Sequence, residues 1–343
     1  MKKTAPYQPP YTITPEILNR VAAISEAVGR LTVLADTASA LFLRRINRVR
    51  TIHGSLAIEG NTLSQDQITA ILDGKPVIAL PREVREVKNA LAAYERVDAW
   101  QPESETDLLE AHSLLMAGLI GDAGKYRSSG VGVMAGRQVV HMAPPAKRVP
   151  LLMADLLGWL FRTDVHPLIT SAVFHYEFEF IHPFADGNGR MGRLWQSLIL
   201  SRWNPLFADI PVESLIFEHQ ADYYQALQES TRRTDSAPFI ELMLRLIENS
   251  VVSPQVSPQV TPQVTPQVGA LLAVIQGAMD REALQSALGL SDRKSFRARY
   301  LGPALAAGLV EMTLPDKPSS RLQRYRLTEK GAELAGAGCA VSR

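Results

Sequence analysis

Apolar residues recur every three or four positions through most of the first 250 residues, the spacing of amphipathic helices. Thr14-Pro15-Glu16 supplies an N-cap followed by proline at the first helical position, and the helical spacing then runs from position 17 through 49. The same spacing predicts helices over 83–99, 151–162 and 239–247. Two further apolar stretches, 168–181 and 194–203, flank a short polar run. Strand-like alternation is confined to residues 124–141, where Ala135-Gly136 is a turn signal between two short β-prone runs and predicts a hairpin. An exposed strand edge of this kind can bind an extended peptide through main-chain pairing.

The pattern changes near position 251. Four tandem copies of [Ser/Thr]-Pro-Gln-Val run from Ser253 to Val268. Proline at every fourth place opposes a helix and favours an extended spacer of about 50 Å; four stacked turns or a short strand ladder is the other reading. Beyond it come two short helices (271–278 and 281–288), then Ser291 as the N-cap of a third that carries Arg293, Lys294, Arg297 and Arg299. Two alternating stretches, 309–314 and 322–327, enclose Pro315-Asp316-Lys317-Pro318-Ser319-Ser320. Helix, helix, basic helix and hairpin is the winged-helix order. From Gly269 on there are eleven Lys and Arg against seven Asp and Glu, so a DNA partner is one reading, with Lys317, Arg321 and Arg324 on the wing, and protein docking the other. The expected organisation is an N-terminal helical region (1–105), a central core (106–250), a linker (251–268), a winged helix (269–335) and a tail (336–343).

Composition narrows the class. At 343 residues and 46% apolar content the chain can bury a sizeable core, and a net charge of +1 gives no global pull toward nucleic acid or membrane. No apolar run reaches the roughly 20 residues that cross a bilayer. The start, Met1-Lys2-Lys3-Thr4 followed by Pro6, lacks the apolar segment of a secretory signal. A single cysteine, Cys339, excludes an intramolecular disulfide and fits a reducing, cytoplasmic compartment.

The chemistry is concentrated in His182-Pro183-Phe184-Ala185-Asp186-Gly187-Asn188-Gly189-Arg190-Met191-Gly192-Arg193. Gly187-Asn188-Gly189 lies where one helix stops and the next begins, and free N–H groups at a helix start make an anion site. Arg190 and Arg193, three apart, are suited to gripping phosphate oxygens, and Asp186 is a hard oxygen ligand of the type Mg²⁺ takes. His182 is the nearby group able to accept a proton near neutral pH. No Gly-x-x-x-x-Gly-Lys-[Ser/Thr] occurs, so the chain does not use a Walker loop. Together these residues point to phosphoryl or nucleotidyl transfer onto a hydroxyl.

The run matches at every specified position His-x-Phe-x-[Asp/Glu]-Gly-Asn-Gly-Arg-x-x-Arg, and the chain resembles the Fic family over roughly residues 10–250. The resemblance implies a mainly α fold, a Fic helical core with a β-hairpin flap, followed by the winged-helix tail found on many bacterial members. It implies transfer of AMP from ATP to a Tyr, Thr or Ser hydroxyl of a target protein. His182 resembles the base, Asp186 the Mg²⁺ ligand, Gly187, Asn188 and Gly189 the anion-binding turn, and Arg190 and Arg193 the phosphate clamps, with Phe184 a packing residue.

Ser55-Leu56-Ala57-Ile58-Glu59-Gly60 fits the family's inhibitory pattern, [Ser/Thr]-x-x-x-Glu-[Gly/Asn], on a helix near 55–61. The resemblance implies that Glu59 pairs with Arg193 and denies it to the γ-phosphate. It further implies that the flap at 124–141 docks the target's hydroxyl-bearing segment. Tyr223 and Tyr224 fall in the region that relatives use around the adenine. Relatives often dimerise, and a homodimer could couple to the brake. Some remove AMP or transfer another phosphate-containing group. A DNA-binding regulator using the core as a sensor is the reading from another class.

Overall fold

The computed structural model describes residues 6–34, 38–135, 138–252, 266–290, 292, 296–306, 308–314, 320, 322–328 and 331–332. It divides into two compact units, Met1–Ser257 and Pro258–Arg343.

In the first unit the described helices are α1 (Pro15–Leu34), α2 (Ala38–Ile58), α3 (Gln65–Leu72), α4 (Pro81–Arg96), α5 (Glu105–Leu115), α6 (Val149–Arg162), α7 (Pro167–Ile181), α8 (Asn188–Trp203), α9 (Val212–Glu218), α10 (Gln220–Arg233) and α11 (Ala237–Val252). One antiparallel hairpin, β1 (Gly132–Ala135) with β2 (Gln138–Met142), interrupts them, and its register shifts between Val133 and Met134. Centre stage belongs to α7 and α8. The first buries every residue from Leu168 to Phe178, and the second buries most of its length. A helix apolar nearly all round, as α7 is, can only be stable inside a core. Trp195 of α8 is fully buried, stacks on Trp100 at 6.2 Å and donates its Nε1–H to the Pro102 carbonyl at 2.8 Å. That anchorage fixes the helix whose first turn carries the glycines and arginines of the motif.

The end of α2 is placed by a close crossing with α9. A Cβ on Gly54 would lie 2.6 Å from Ser214 N and 2.7 Å from Glu213 C and O, so only glycine lets the two backbones meet. Ser214 Oγ also donates to the Arg50 carbonyl at 2.9 Å. The helix stops at Ile58, where Gly60 adopts φ +88° and Asn61 N–H returns to the Leu56 carbonyl at 3.1 Å. Glu59 therefore sits in the terminal turn, just past the helix on which the sequence pattern puts it.

Other boundaries moved for identifiable reasons. The spacing from 17 to 49 corresponds to two helices, of which the second continues to Ile58. The helix expected over 83–99 begins at Pro81, with proline in its first turn, and hands over to a 3₁₀ turn at Val97–Ala99. Four helices were not anticipated: α3, α5, α9 and α10. Ser64 and Gln67 make a reciprocal capping box on α3, and Ser104 caps α5.

In the second unit α12 (Pro266–Val274) and α13 (Arg281–Ala287) precede a helical turn at Arg297–Leu301, α14 (Gly302–Ala306) and the antiparallel pair β3 (Val310–Met312) and β4 (Tyr325–Leu327). Its core gathers Leu271, Leu272, Leu284, Phe296, Leu301, Leu309 and Tyr325. The linker expected over 251–268 is shorter at both ends: α11 reaches Val252, and Pro266-Gln267-Val268 opens α12, where proline is tolerated in the first turn. Most of the repeat (253–265), Ser291, Arg293, Lys294, Lys317, Arg321 and the tail at 336–343 lie outside the described residues. Arg297 and Arg299 are exposed. No helix among the described residues is long and apolar enough to cross a membrane.

Two expectations test this packing. Gly54→Ala should destabilise the protein by about 1–3 kcal/mol, the scale of overpacking at a tight contact, read from denaturant unfolding. The second concerns Glu177 of α7, only 5% exposed and accepting from Tyr7 Oη at 2.9 Å. Burial pushes its carboxyl up to about 7, against the opposing Tyr7 hydrogen bond. A carboxyl that holds its proton more tightly when folded adds stability fully below its unfolded value of about 4.5. That stability is lost as pH rises through 7, so Glu177→Gln should gain on the wild type across this window in paired unfolding curves.

Candidate functional site

At the end of α7, His182 adopts a left-handed conformation (φ 51°, ψ 61°) while its N–H still bonds the Phe178 carbonyl at 2.9 Å. Such a conformation costs a β-carbon-bearing residue about 1–2 kcal/mol, so something must hold it. Arg127, 3% exposed, does so from below the hairpin. Its Nε donates to the His182 carbonyl at 2.7 Å, and its terminal nitrogens reach Ser129 O (2.9 Å), Pro144 O (2.6 Å) and Ile181 O (3.2 Å). Its backbone N–H adds a bond to Pro183 O at 2.9 Å. One buried guanidinium thus ties the motif loop to both ends of the flap, and burial pulls its pKa down.

The loop is braced again at Phe184. This ring is fully buried and lies flat on His112, with centroids 3.6 Å apart and planes 3° from parallel. His112 Nδ1 accepts from Gly124 N–H at 2.8 Å, which leaves Nε2 to donate to the Asp186 carbonyl at 3.0 Å. Burial lowers the His112 pKa, in keeping with a neutral ring. Asn188 closes the loop from within: Phe184 N–H donates to its Oδ1 and its Nδ2 donates to Phe184 O, both at 2.9 Å. The Asn188 side chain is therefore a clip on the loop, and its contribution to an anion site is its backbone N–H.

Gly187, at φ +83°, caps α8, and a Cβ there would meet Met116 Sδ at 2.7 Å. The first turn of α8 carries no acidic residue, so its N–H groups face the loop with the positive end of the helix dipole. Arg190, 5% exposed, lies 3.2 Å from Asp186 Oδ1 and 3.7 Å from Glu86 Oε1. Its Nε is buried with no hydrogen-bond partner among the described residues. Asp186 is 40% exposed, with Gly187 N–H on its Oδ1 at 2.6 Å and Arg82 3.7 Å from its Oδ2. A single accessible carboxylate beside an anion-binding turn suits a Mg²⁺ that draws its other ligands from phosphates and water. No cluster of three His, Cys, Asp or Glu that could cage a metal occurs among the described residues.

Arg193, 2% exposed, is held by the end of α2. It reaches Glu59 Oε1 at 2.6 Å, Ser55 O at 2.9 Å and Ser55 Oγ at 3.2 Å. Burial opposes its charge, yet the pull of Glu59 holds its pKa above the ordinary arginine value. The Glu59 carboxylate rests directly on Gly189, in the space a Cβ would occupy. It covers the anion-binding turn as well as the arginine.

Beside this pair opens a cleft, open to solvent, between Tyr176, Glu179, Phe180 and His182 on one side and Tyr223, Tyr224, Leu227 and Gln228 on the other. The two tyrosines differ. Tyr224 is 44% exposed, whereas Tyr223 is 2% exposed and its hydroxyl meets His175 Nε2 at 3.1 Å. Tyr223 therefore belongs chiefly to the core. His175 donates from Nδ1 to Gln196 Oε1 at 2.6 Å, and burial drops its pKa to about 3. Glu179 presses against Gly192, and burial raises its carboxyl to about 7 despite the nearby Arg193. His182, Gly189, Arg193, Glu59 and both tyrosines thus lie around one cleft, with Tyr224 the more exposed of the two. His112, Arg127, Glu86 and Glu179 were not singled out in the sequence, because their roles depend on contacts with distant segments; Arg127 alone lay inside a run already marked as the flap.

Comparison with known proteins gives the same picture from outside. Residues 102–200 match the Fic/DOC family, and residues 266–328 match the C-terminal domain of "Filamentation induced by cAMP protein Fic-like". The crystal structure of a Fic family protein from Desulfovibrio desulfuricans G20 is 55% identical, with a TM-score of 0.73 over 95% of this chain and 99% of that one. The solved Fic-1 from C. elegans, 24% identical over 69% of this chain and 71% of that one, has a TM-score of 0.58 and shares the fold. Curated relatives are named "Protein adenylyltransferase Fic". The one from Nematostella vectensis is 32% identical over 58% of this chain and 47% of its own length, and the one from Culex quinquefasciatus 29% over 59% and 41%. The chain spans less than half the length of these curated relatives. From the motif, the fold and a solved relative matched almost end to end, the chain belongs to the Fic family.

Proposed function

We propose that this protein transfers AMP from ATP to a hydroxyl side chain of another protein and holds itself in check through Glu59. The observation that carries this reading is the Arg193–Glu59 pair at 2.6 Å, lying over Gly189 at the mouth of the cleft. A carboxylate in that place meets the same donors that a phosphate would, so occupancy by one excludes the other. The names of the curated relatives support the activity.

In this reading the adenine end of ATP enters beside Tyr224, and the phosphates lie along the first turn of α8. The N–H groups of Asn188 and Gly189 receive phosphate oxygens, and Arg190 and Arg193 neutralise the charge farther along the chain. Asp186 would hold Mg²⁺, which on binding draws charge from the phosphates and improves pyrophosphate as a leaving group. The target hydroxyl oxygen attacks the α-phosphorus, the bond to the bridging oxygen of the β-phosphate breaks, and pyrophosphate departs. His182 takes the hydroxyl proton, its backbone fixed by Arg127. The flap offers main-chain edges to the segment bearing that hydroxyl.

Incorporation of α-³²P-labelled ATP into protein tests this directly. Glu59→Gly should raise labelling by about tenfold or more, the scale of losing a competing interaction of at least 1.4 kcal/mol. Adding His182→Ala should return labelling to background while ATP binding persists. Labelling that is unchanged by Glu59→Gly overturns the brake, and labelling that survives His182→Ala overturns the base.

A further inference from the structure

Arg190 is buried between two carboxylates, and only one of them has another assignment. Asp186, 3.2 Å away, is the residue suited to a metal. Glu86 of α4, 3.7 Å from Arg190 NH1, is 12% exposed and belongs to no recognised motif of the sequence. Its Oε2 accepts from Asn61 Nδ2 at 2.9 Å, and its Oε1 also lies 3.3 Å from Arg82 Nε. Asn61 follows directly on Glu59-Gly60, and the next residue is strapped to the same helix, with Thr62 N–H and Oγ1 both donating to Glu83 Oε1 at 2.8 Å. One carboxylate thus joins the segment that bears Glu59 to the guanidinium at the opposite side of the anion-binding turn.

A guanidinium 5% exposed needs a counter-charge, because an uncompensated buried charge costs several kcal/mol. When Asp186 serves a cation, Glu86 is the remaining carboxylate within 4.0 Å of Arg190 among the described residues. At 3.7 Å it offsets charge without engaging a close hydrogen bond, which leaves the guanidinium's donors for phosphate oxygens. Glu59 behaves differently: it makes a 2.6 Å bond and consumes the donor. The two carboxylates beside the two clamp arginines therefore have opposite effects, one blocking and one orienting.

We infer that Glu86 is a positioning residue for the phosphates of the nucleotide, holding the Arg190 guanidinium in place beside the anion-binding turn. The inference rests on the nucleotide-site reading above. Its test is equilibrium binding of ATP and of adenosine to the full chain carrying Glu59→Gly, with Glu86→Gln, Arg190→Ala or both added. Glu86→Gln should weaken ATP binding by about tenfold and leave adenosine, which has no phosphate, unchanged within about twofold. In the Arg190→Ala background the same substitution should add less than about twofold, since the two act as one unit. Glu86→Asp keeps the charge with a shorter reach and should recover part of the affinity, which loss of folding would not allow. ATP binding that depends on Arg190 but ignores Glu86→Gln overturns this inference alone, as does equal loss of ATP and adenosine binding. A parent that binds ATP no better than adenosine, with or without Arg190, overturns the nucleotide reading and this inference with it.

Discussion

The burial of Arg193 is the constraint around which the site is organised. A guanidinium on the first turns of a core helix keeps its charge, so burying it without an anion within reach is costly. Among the described residues that anion is Glu59, supplied by a helix far away in sequence and seated by the glycine crossing of α2 on α9. Ser55 contributes both its carbonyl and its hydroxyl, so it stays with the arginine whatever becomes of the carboxylate. Removing Glu59 frees an Arg193 donor while Ser55 still holds the side chain in place, and a freed donor is what a phosphate oxygen takes.

A rigid loop is the second requirement. Between α7 and α8 the chain turns through two left-handed residues, His182 and Gly187, and the strain is held by contacts from outside the motif. Arg127 fixes the carbonyls of Ile181, His182 and Pro183; His112 fixes that of Asp186; Asn188 clips the loop to itself. The N–H groups that face a ligand are fixed because the carbonyls behind them are already committed. Preorganisation of this kind spares the protein the cost of ordering donors at the moment of reaction.

How much of this the sequence disclosed depends on the range of the interaction. Residues 182–193 carry their chemistry in one contiguous run, and Ser55 and Glu59 fit a short pattern, so these positions were readable, as were the hairpin and the apolar stretches of α7 and α8. Helices α9 and α10 were not, because the first is short and the second is dominated by polar residues. Tyr223 and Tyr224 look alike in sequence, yet only the fold decides that one hydroxyl bonds His175 while the other ring reaches the cleft. Glu86, His112 and Arg127 are ordinary residue types on ordinary segments until tertiary contacts bring them to the loop. Pro266 misled for a local reason: the repeat suggests a helix breaker, but its last proline occupies a first turn, where it breaks nothing.

The two glycines of α8 complete the picture. At Gly189 the volume of a missing Cβ is taken by a carboxylate oxygen of Glu59, and at Gly192 by the His175 ring together with a carboxylate oxygen of Glu179. The helix surface that faces the cleft is thus bare backbone and arginine, bordered by acids. Bare backbone is what lets an anion approach the turn closely, and it also leaves room for the Glu59 carboxylate over Gly189. The same absence of side chains that makes a phosphate site makes the site susceptible to a carboxylate from its own chain. In the proposed reading inhibition needs no separate device: it follows from building an anion site within reach of an acidic helix end.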